Sequence, residues 1–319
     1  MRWSPSERML AVASWDPRAG VTVLDCAGDA APVAAAAFEF QAPVLACAFQ
    51  DASTVLAGTA GASVARCDLG GGTGAPAAVG QHDGPVAGVA GVPSTGLVCS
   101  GSWDGTLAVW DPRLPEASRR VGGARLPGRC LSLAVGAEWA VAAGADDHLH
   151  LFRTADLAAG TARPVESRRS RMKCQTREVR CSPDGTGFAV GSVDGKVTVE
   201  DFGGHAKPFT FKCHRDKHPD GGATVWPVNA LAFHPSLGTF ATGGCDGTVA
   251  VWDPRAQKRL ASFPALPSSV ASLDVSADGA RLAVASSYTG EAGERPPRGA
   301  RDEVYLASLD GSEFAPRAR

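Results

Sequence analysis

A thirteen-residue sequence motif that occurs twice restricts the folds that this chain can adopt. GSWDGTLAVWDPR spans residues 101–113 and GGCDGTVAVWDPR spans residues 243–255, with ten identical positions. Each copy places Asp-Gly between two short apolar runs, which is a strong local signal for a β-hairpin. The occurrence of the same hairpin motif at two distant places predicts a fold built from repeated β units.

Weaker copies of the motif lie between and around these two. The predicted hairpin turns lie near Asp16, Gly61, Asp104, Asp146, Asp194, Asp246 and Tyr288, at spacings of 42 to 52 residues. A period of about 40–45 residues with Trp-Asp after a hairpin is typical of the blades of WD40 propellers. Strand patterns such as VLACAF and PVNALAFHP precede most turns, and linking segments such as KPFTFKCH can supply a fourth strand. The sequence therefore predicts an all-β fold, a seven-bladed WD40 β-propeller, as a single domain over residues 1–319.

The two ends of the chain bear on how such a propeller would close. RWSPSERMLAVASWD resembles the first and second strands of a blade, with no strand before them. The last blade, which ends at DEVYLASLDGS, would then be incomplete and would expose a sheet edge. Either the tail EFAPRAR compensates for the missing strand or the sequence is truncated at its N-terminus, and we favour truncation.

Composition argues against several classes of protein. The net charge of −2 does not suit a generally basic nucleic-acid-binding protein. No apolar run approaches the roughly 18 residues that span a membrane, and the apolar stretch 9–13 is too short for a secretory signal, so we expect an intracellular protein. The nine cysteines form no C-x-x-C pair, and Cys213, His214 and His218 lack a second pair at ligand spacing. We therefore expect no metal and no other cofactor.

Catalytic motifs are also missing from the sequence. GSWDG has its serine second rather than third, so it is not a G-x-S-x-G nucleophile elbow, and the glycine run 70–74 lacks the strand-to-helix setting of a phosphate-binding loop. His82, Ser100, Asp104 and Trp110 follow the order of the His–Ser–Asp–Trp network that locks many WD40 blades. Because buried polar groups need hydrogen-bond partners, we expect these four residues to have a structural role.

Positive charge is concentrated in one part of the chain. Residues 163–217 hold twelve Lys/Arg and seven Asp/Glu, which predicts a basic face, although the run ESRRSRMK alone could form a solvated loop. Lys196 follows the Asp194-Gly195 turn, and Lys212 and Arg215 flank the Cys-His pair 213–214. Arg binds carboxylates and phosphates with two parallel bonds, and Lys binds them as a point charge, so an acidic or phosphorylated peptide is the predicted ligand.

Segments spread over nearly the whole chain resemble a known family. ESRRSRMKCQTREVR, DGKVTVEDF, FTFKCHR, PVNALAFHPSLGTFATGGCDGTVAVWDP and LAVASSY are similar to the spindle-assembly checkpoint WD40 propellers of the budding-uninhibited-by-benzimidazole type, within the GLEBS-binding propellers. The sister family of nuclear-pore mRNA-export propellers shares GSWD, FKCHR and ASSY. The QTR and WDPR segments favour the checkpoint branch.

The resemblance implies a mitotic checkpoint adaptor without catalysis, located in the nucleus, at kinetochores in mitosis and partly in the cytoplasm. Its partners would be checkpoint kinases and kinase-like proteins, bound through acidic GLEBS segments, and a kinetochore scaffold with threonine-phosphorylated MELT repeats. No membrane partner is expected. The alternative, an mRNA-export propeller, would bind a nucleoporin GLEBS segment and RNA.

The resemblance also assigns roles to individual residues. Arg177 of QTR and Arg215 of FKCHR would pair with GLEBS glutamates, and Lys196 and Lys212 would flank the phosphothreonine. Family members often carry Arg where this chain has Lys196, so the cation is kept but the two-pronged geometry is lost. The indoles of Trp15 and Trp103, each next to a turn aspartate, would be apolar contacts for the GLEBS peptide, or else ordinary propeller packing.

Overall fold

The computed structural model of the chain describes residues 1–6, 8–28, 31–71, 74–204, 207–290, 293, 296 and 299–317. In this part of the chain the strands form seven antiparallel sheets in which consecutive strands are neighbours, and a separate two-stranded hairpin. The α-helix Thr154–Ala158 and the 3-10 helices Leu69–Gly71 and Glu116–Ser118 are short. The chain is therefore all-β, and the predicted seven-bladed β-propeller is confirmed. The described residues include no helix with the length and apolar character needed to cross a membrane.

Residues 1–169 form the first of two compact units and contain sheets 1 to 4. Sheet 1 consists of β1 (Arg2–Trp3), β2 (Met9–Ala13), β3 (Val21–Asp25) and β4 (Val33–Phe38). Sheet 2 consists of β5 (Val44–Asp51), β6 (Thr54–Thr59), β7 (Ser63–Asp68) and β8 (Ala77–Gln81). Sheet 3 consists of β9 (Val86–Gly91), β10 (Val98–Ser102), β11 (Thr106–Trp110) and β12 (Arg120–Arg125). Sheet 4 consists of β13 (Cys130–Val135), β14 (Trp139–Gly144), β15 (His148–Arg153) and β16 (Glu166–Arg169).

Residues 170–319 form the second unit and contain sheets 5 to 7 and the hairpin. Sheet 5 consists of β17 (Thr176–Cys181), β18 (Gly187–Ser192), β19 (Lys196–Asp201) and β20 (Phe209–Lys212). The hairpin consists of β21 (Arg215–Lys217) and β22 (Ala223–Val225). Sheet 6 consists of β23 (Val228–Phe233), β24 (Phe240–Gly244), β25 (Val249–Asp253) and β26 (Lys258–Phe263). Sheet 7 consists of β27 (Val270–Val275), β28 (Arg281–Ser286) and β29 (Glu303–Ser308).

The first glycine of the repeated motif allows neighbouring sheets to pack closely. A Cβ at Gly101 of sheet 3 would lie 2.5 Å from Sγ of Cys130 in sheet 4. A Cβ at Gly243 of sheet 6 would lie 2.3 Å from Cγ1 of Val270 in sheet 7. Real Cβ atoms do not approach so closely, so a side chain at either glycine would push the next sheet away. The motif therefore specifies both a hairpin and the close contact with the following sheet.

Each predicted turn residue lies between the second and third strands of its sheet, from Asp16 in sheet 1 to Tyr288 in sheet 7. The segment KPFTFKCH supplies β20, the fourth strand of sheet 5, as predicted. The hairpin β21–β22, which lies between β20 of sheet 5 and β23 of sheet 6, was not predicted. The assignment of the whole chain to a single domain stays a prediction.

The tail does not complete sheet 7. In the described residues sheet 7 has three strands, and the tail forms no strand beside β29. Instead, the Phe314 side chain is fully buried, and the Thr239 hydroxyl donates a 2.9 Å hydrogen bond to the Phe314 carbonyl. The ring of Phe314 also packs on His234, with 5.4 Å between ring centroids. The described part of the tail therefore does not act as a further strand of sheet 7, because its apolar side chain is buried in the core cluster formed by sheets 6 and 7.

Candidate functional site

The four residues predicted to lock sheet 3 form one hydrogen-bonded chain. The Trp110 indole donates to the Ser100 hydroxyl at 2.7 Å, and that hydroxyl lies 2.7 Å from Nε2 of His82. Nδ1 of His82 lies 3.1 Å from the Asp104 carboxylate and 2.9 Å from the Thr106 hydroxyl. Burial lowers the pKa of His82, so the ring stays neutral, with Nδ1 donating to the acid and Nε2 accepting from the serine. This network fixes the turn that carries Trp103.

Sheet 6 holds an equivalent network that the sequence reasoning missed. Trp252 donates to the Thr242 hydroxyl at 3.0 Å, and this hydroxyl lies 2.8 Å from Nε2 of His214. Nδ1 of His214 lies 2.9 Å from the Asp246 carboxylate. The histidine and the hydroxyl residue are 28 positions apart here but 18 apart in sheet 3, because the hairpin β21–β22 is inserted between them. The hydroxyl–Trp spacing of 10 is identical in both sheets and could have revealed the second network.

The cysteine considered as a metal ligand is buried, and the two histidines have hydrogen-bond partners. The Cys213 thiol is buried, and burial raises its pKa, which disfavours the thiolate that binds metals. His214 belongs to the sheet 6 network, and Nε2 of His218 lies 2.8 Å from the Thr224 hydroxyl. Within the described ranges, no group of three or more potential metal-ligating side chains is close enough to hold an ion.

Two predicted tryptophan contacts are exposed on the first unit. The side chain of Trp15, after β2, is 77% exposed, and that of Trp103, after β10, is 42% exposed. The equivalent of Trp103 in sheet 6 is Cys245, which is buried. Exposed indoles can bury apolar area against a partner, so both positions are available for such a contact.

Two of the predicted cations contact Asp194 in the second unit and a third is the register partner of one of them, and we call Asp194, Lys196, Lys212 and Arg215 the Asp194 cluster. Lys196 begins β19 and is the register partner of Lys212, which ends β20. The Lys196 ammonium contacts the Asp194 carboxylate, and Nη2 of Arg215 donates to the Asp194 carbonyl oxygen at 2.9 Å. The hairpin places Arg215 at this position, because β21 begins immediately after β20 and the Cys-His pair. The cluster holds three positive charges and one negative charge.

The Asp194 carboxylate is held by two further donors. The Ser192 hydroxyl donates to Oδ1 at 2.6 Å, and the Cys174 thiol donates to the same oxygen at 3.0 Å. Burial raises the pKa of Asp194, but the hydrogen bonds from Lys196, Ser192 and Cys174 outweigh that effect and keep the pKa below its usual value. Asp194 is therefore ionised at neutral pH. The sequence predicted Asp194 only as a turn residue, although the Ser-x-Asp-Gly pattern at 192–195 marks a capped turn.

Arg177 lies elsewhere on sheet 5. It is exposed on β17, the first strand, whereas Lys196 and Lys212 lie on the third and fourth strands, about 10–15 Å away at the usual strand spacing. Its guanidinium donates to the Asn229 side-chain oxygen at 3.0 Å and 3.2 Å. Asn229 was not predicted, and its amide donates in turn to the Val270 carbonyl at 3.2 Å. Arg177 therefore lies apart from Lys196 and Lys212, next to a neutral amide.

Comparisons with known proteins agree with this architecture. The family model "WD domain, G-beta repeat" matches residues 77–111 and 209–253. The mitotic checkpoint protein BUB3.1 of Arabidopsis thaliana is 37% identical, over 100% of this chain and 92% of the relative. The mitotic checkpoint protein bub-3 of Caenorhabditis elegans is 30% identical, over 97% of this chain and 89% of the relative. The Poly(A)+ RNA export protein of Schizosaccharomyces pombe is 30% identical, over 90% of this chain and 80% of the relative.

Proposed function

We propose that this chain, which belongs to the family of mitotic checkpoint WD40 propellers that includes BUB3.1, is a non-catalytic adaptor of the spindle-assembly checkpoint. It acts in the nucleus, at kinetochores in mitosis and partly in the cytoplasm. It binds acidic GLEBS segments of checkpoint kinases and docks them on phosphorylated MELT repeats of a kinetochore scaffold.

The Asp194 cluster is the observation that carries the phosphate part of this proposal. Lys196 and Lys212 are register partners on adjacent strands, so their side chains project from the same face of sheet 5. Arg215 adds a third cation, held by the Asp194 carbonyl. A phosphothreonine carries about 1.5 to 2 negative charges at neutral pH and three acceptor oxygens, which suits several convergent donors. An unmodified threonine has no charge and only one acceptor oxygen in its side chain.

Arg177 supports the acidic-peptide part. Its guanidinium pairs with the neutral Asn229 side chain and, among the described residues, forms no ion pair with a carboxylate. An exposed arginine without an acidic partner can bind a glutamate with two parallel hydrogen bonds. In the first unit, Trp15 and Trp103 have exposed indoles that suit contacts with apolar side chains of a peptide. Arg215 serves both parts in this proposal.

The alternative function is an mRNA-export propeller that binds a nucleoporin segment and RNA. The favouring observations are the export relative and the exposed cations Arg171 and Lys173, within the basic run before β17. Affinity purification separates the two functions. Recovery of checkpoint kinases from mitotically arrested cells supports the adaptor, and recovery of nucleoporin and RNA without kinases contradicts it.

The phosphate site is tested by titrating MELT peptides, phosphorylated and unphosphorylated, against purified protein. We expect the wild type to prefer the phosphorylated peptide and the Lys196→Glu/Lys212→Glu double variant to lose that preference. The matched control is Lys207→Glu/Lys258→Glu, which changes the charge equally at exposed positions outside the Asp194 cluster. Equal affinity for both peptides in every protein contradicts the proposed phosphate site.

A further inference from the structure

We infer that Asp194 is a built-in competitor of the phosphate ligand: its carboxylate occupies the Lys196 ammonium in the free protein and holds the affinity for phosphate down. The inference rests on the proposed function, because it concerns how strongly that same site binds. It assigns to Asp194 a role beyond that of a turn residue.

The geometry keeps the Asp194 carboxylate in place when a ligand arrives. One oxygen, Oδ1, accepts from the Ser192 hydroxyl at 2.6 Å and from the Cys174 thiol at 3.0 Å. The other oxygen, Oδ2, contacts the Lys196 ammonium. The carboxylate cannot turn away without breaking the two bonds at Oδ1. An incoming phosphate must therefore share Lys196 with a fixed negative charge.

Both partners of this pair are accessible to a ligand. The Lys196 side chain is 28% exposed and the Asp194 side chain is 32% exposed. A phosphate that contacts the ammonium approaches the carboxylate to within a few ångströms, where like charges repel even in water. Because this repulsion grows with the charge of the ligand, Asp194 opposes a dianionic phosphate more than a singly charged carboxylate. The cluster then offers a net charge of two rather than three.

The same sheet contains a turn that separates this effect from simple turn capping. Residues 182–185 repeat the Ser-x-Asp-Gly pattern of residues 192–195, and the Ser182 hydroxyl donates to Oδ1 of Asp184 at 2.6 Å, as Ser192 does to Asp194. The cation beside Asp184 is an arginine, and Nη2 of Arg255 lies 3.9 Å from the Asp184 carboxylate. Among the described residues, Asp184 contacts no lysine of the Asp194 cluster. An aspartate in this turn therefore does not require a lysine partner.

Asp194→Asn tests the inference, with Asp184→Asn as the matched control. Asn keeps an oxygen for Ser192 and Cys174 and removes the charge that faces Lys196. We expect Asp194→Asn to bind a phosphothreonine peptide about tenfold more tightly by isothermal titration, a glutamate-substituted peptide with a smaller gain, and the unmodified peptide unchanged. Asp184→Asn should leave all three affinities unchanged. A gain in affinity that scales with ligand charge cannot come from damage to the fold.

A second set of variants makes the result specific to Lys196. In a Lys196→Gln background, Asp194→Asn should give less than half of the gain in phosphopeptide affinity that it gives with Lys196 present. The reason is that the ammonium for which the carboxylate and the phosphate compete is absent. Asp194→Ser, which removes the charge and keeps an acceptor in the turn, should change affinity in the same direction as Asp194→Asn. If the wild type prefers the phosphopeptide but both Asp194 variants bind it equally or more weakly, the inference is overturned and the proposed function stands. If the wild type shows no preference for the phosphopeptide, the proposed function fails, and the inference fails with it.

Discussion

Replacing Ser100 with alanine should destabilise the protein far more than the loss of one hydroxyl suggests. The Ser100 side chain is fully buried, accepts from the Trp110 indole at 2.7 Å and lies 2.7 Å from Nε2 of His82. Alanine leaves both partners without this bond in a site closed to water. An orphaned buried polar group costs about 1–3 kcal/mol, so two such groups give an expected loss of about 2–6 kcal/mol in the free energy of unfolding.

The matched control for this variant is Ser118→Ala, an identical chemical change at an exposed position of the same sheet's last connection. Urea unfolding followed by tryptophan fluorescence measures the shift in midpoint for both variants. Ser118→Ala should change the free energy of unfolding by less than about 0.5 kcal/mol, as exposed substitutions usually do. If Ser100→Ala loses no more stability than Ser118→Ala, the network does not lock sheet 3 and the reasoning is refuted.

Three further predictions concern the peptide site, the tail and the effect of acid. Arg177→Lys keeps the charge but loses the planar fork, so titration calorimetry should show a loss of about threefold or more in acidic-peptide affinity; an unchanged affinity would remove Arg177 from the site. Phe314→Ala empties a buried position and should lower the free energy of unfolding by about 3–5 kcal/mol in urea, whereas a value near zero would mean that the tail is not docked. Burial lowers the pKa of His82, His150 and His234 below the ordinary value of 6.5. The unfolded chain therefore binds more protons than the folded protein as pH falls below about 6.5, so the urea midpoint should be lower at about pH 5.5 than at about pH 7.5; an equal or higher midpoint would contradict this.

The blade pattern was readable in the sequence because a hairpin is a local structure. Asp-Gly between two alternating runs specifies a turn from residues a few positions apart, and this is why the turn at Asp104 and its copies were located correctly. The sheet 3 network was readable for a related reason, since His82, Ser100 and Trp110 lie within one repeat. In sheet 6 the inserted hairpin lengthens the corresponding interval from 18 to 28 residues, and the pattern was missed.

The candidate site could be predicted only in part from the sequence. Charge and resemblance pointed to Lys196, Lys212 and Arg215. In the structure Lys196 and Arg215 contact Asp194, and Lys212 is the register partner of Lys196. Neither signal indicated that a carboxylate holds Lys196, because the contact depends on how the turn orients the side chain. The pairing of Arg177 with Asn229 was equally hidden, since it joins residues 52 positions apart in neighbouring sheets.

By itself, the sequence of this protein determined the number of blades, the position of each turn and the region that carries the positive charge. These properties follow from periodicity and composition, which depend on near neighbours along the chain. The contacts of Lys196 and Arg215 with Asp194 and the packing of Phe314 depend on the tertiary structure. Those contacts join residues from different strands, and their free energies depend on distance and burial, which folding creates and a linear pattern does not contain.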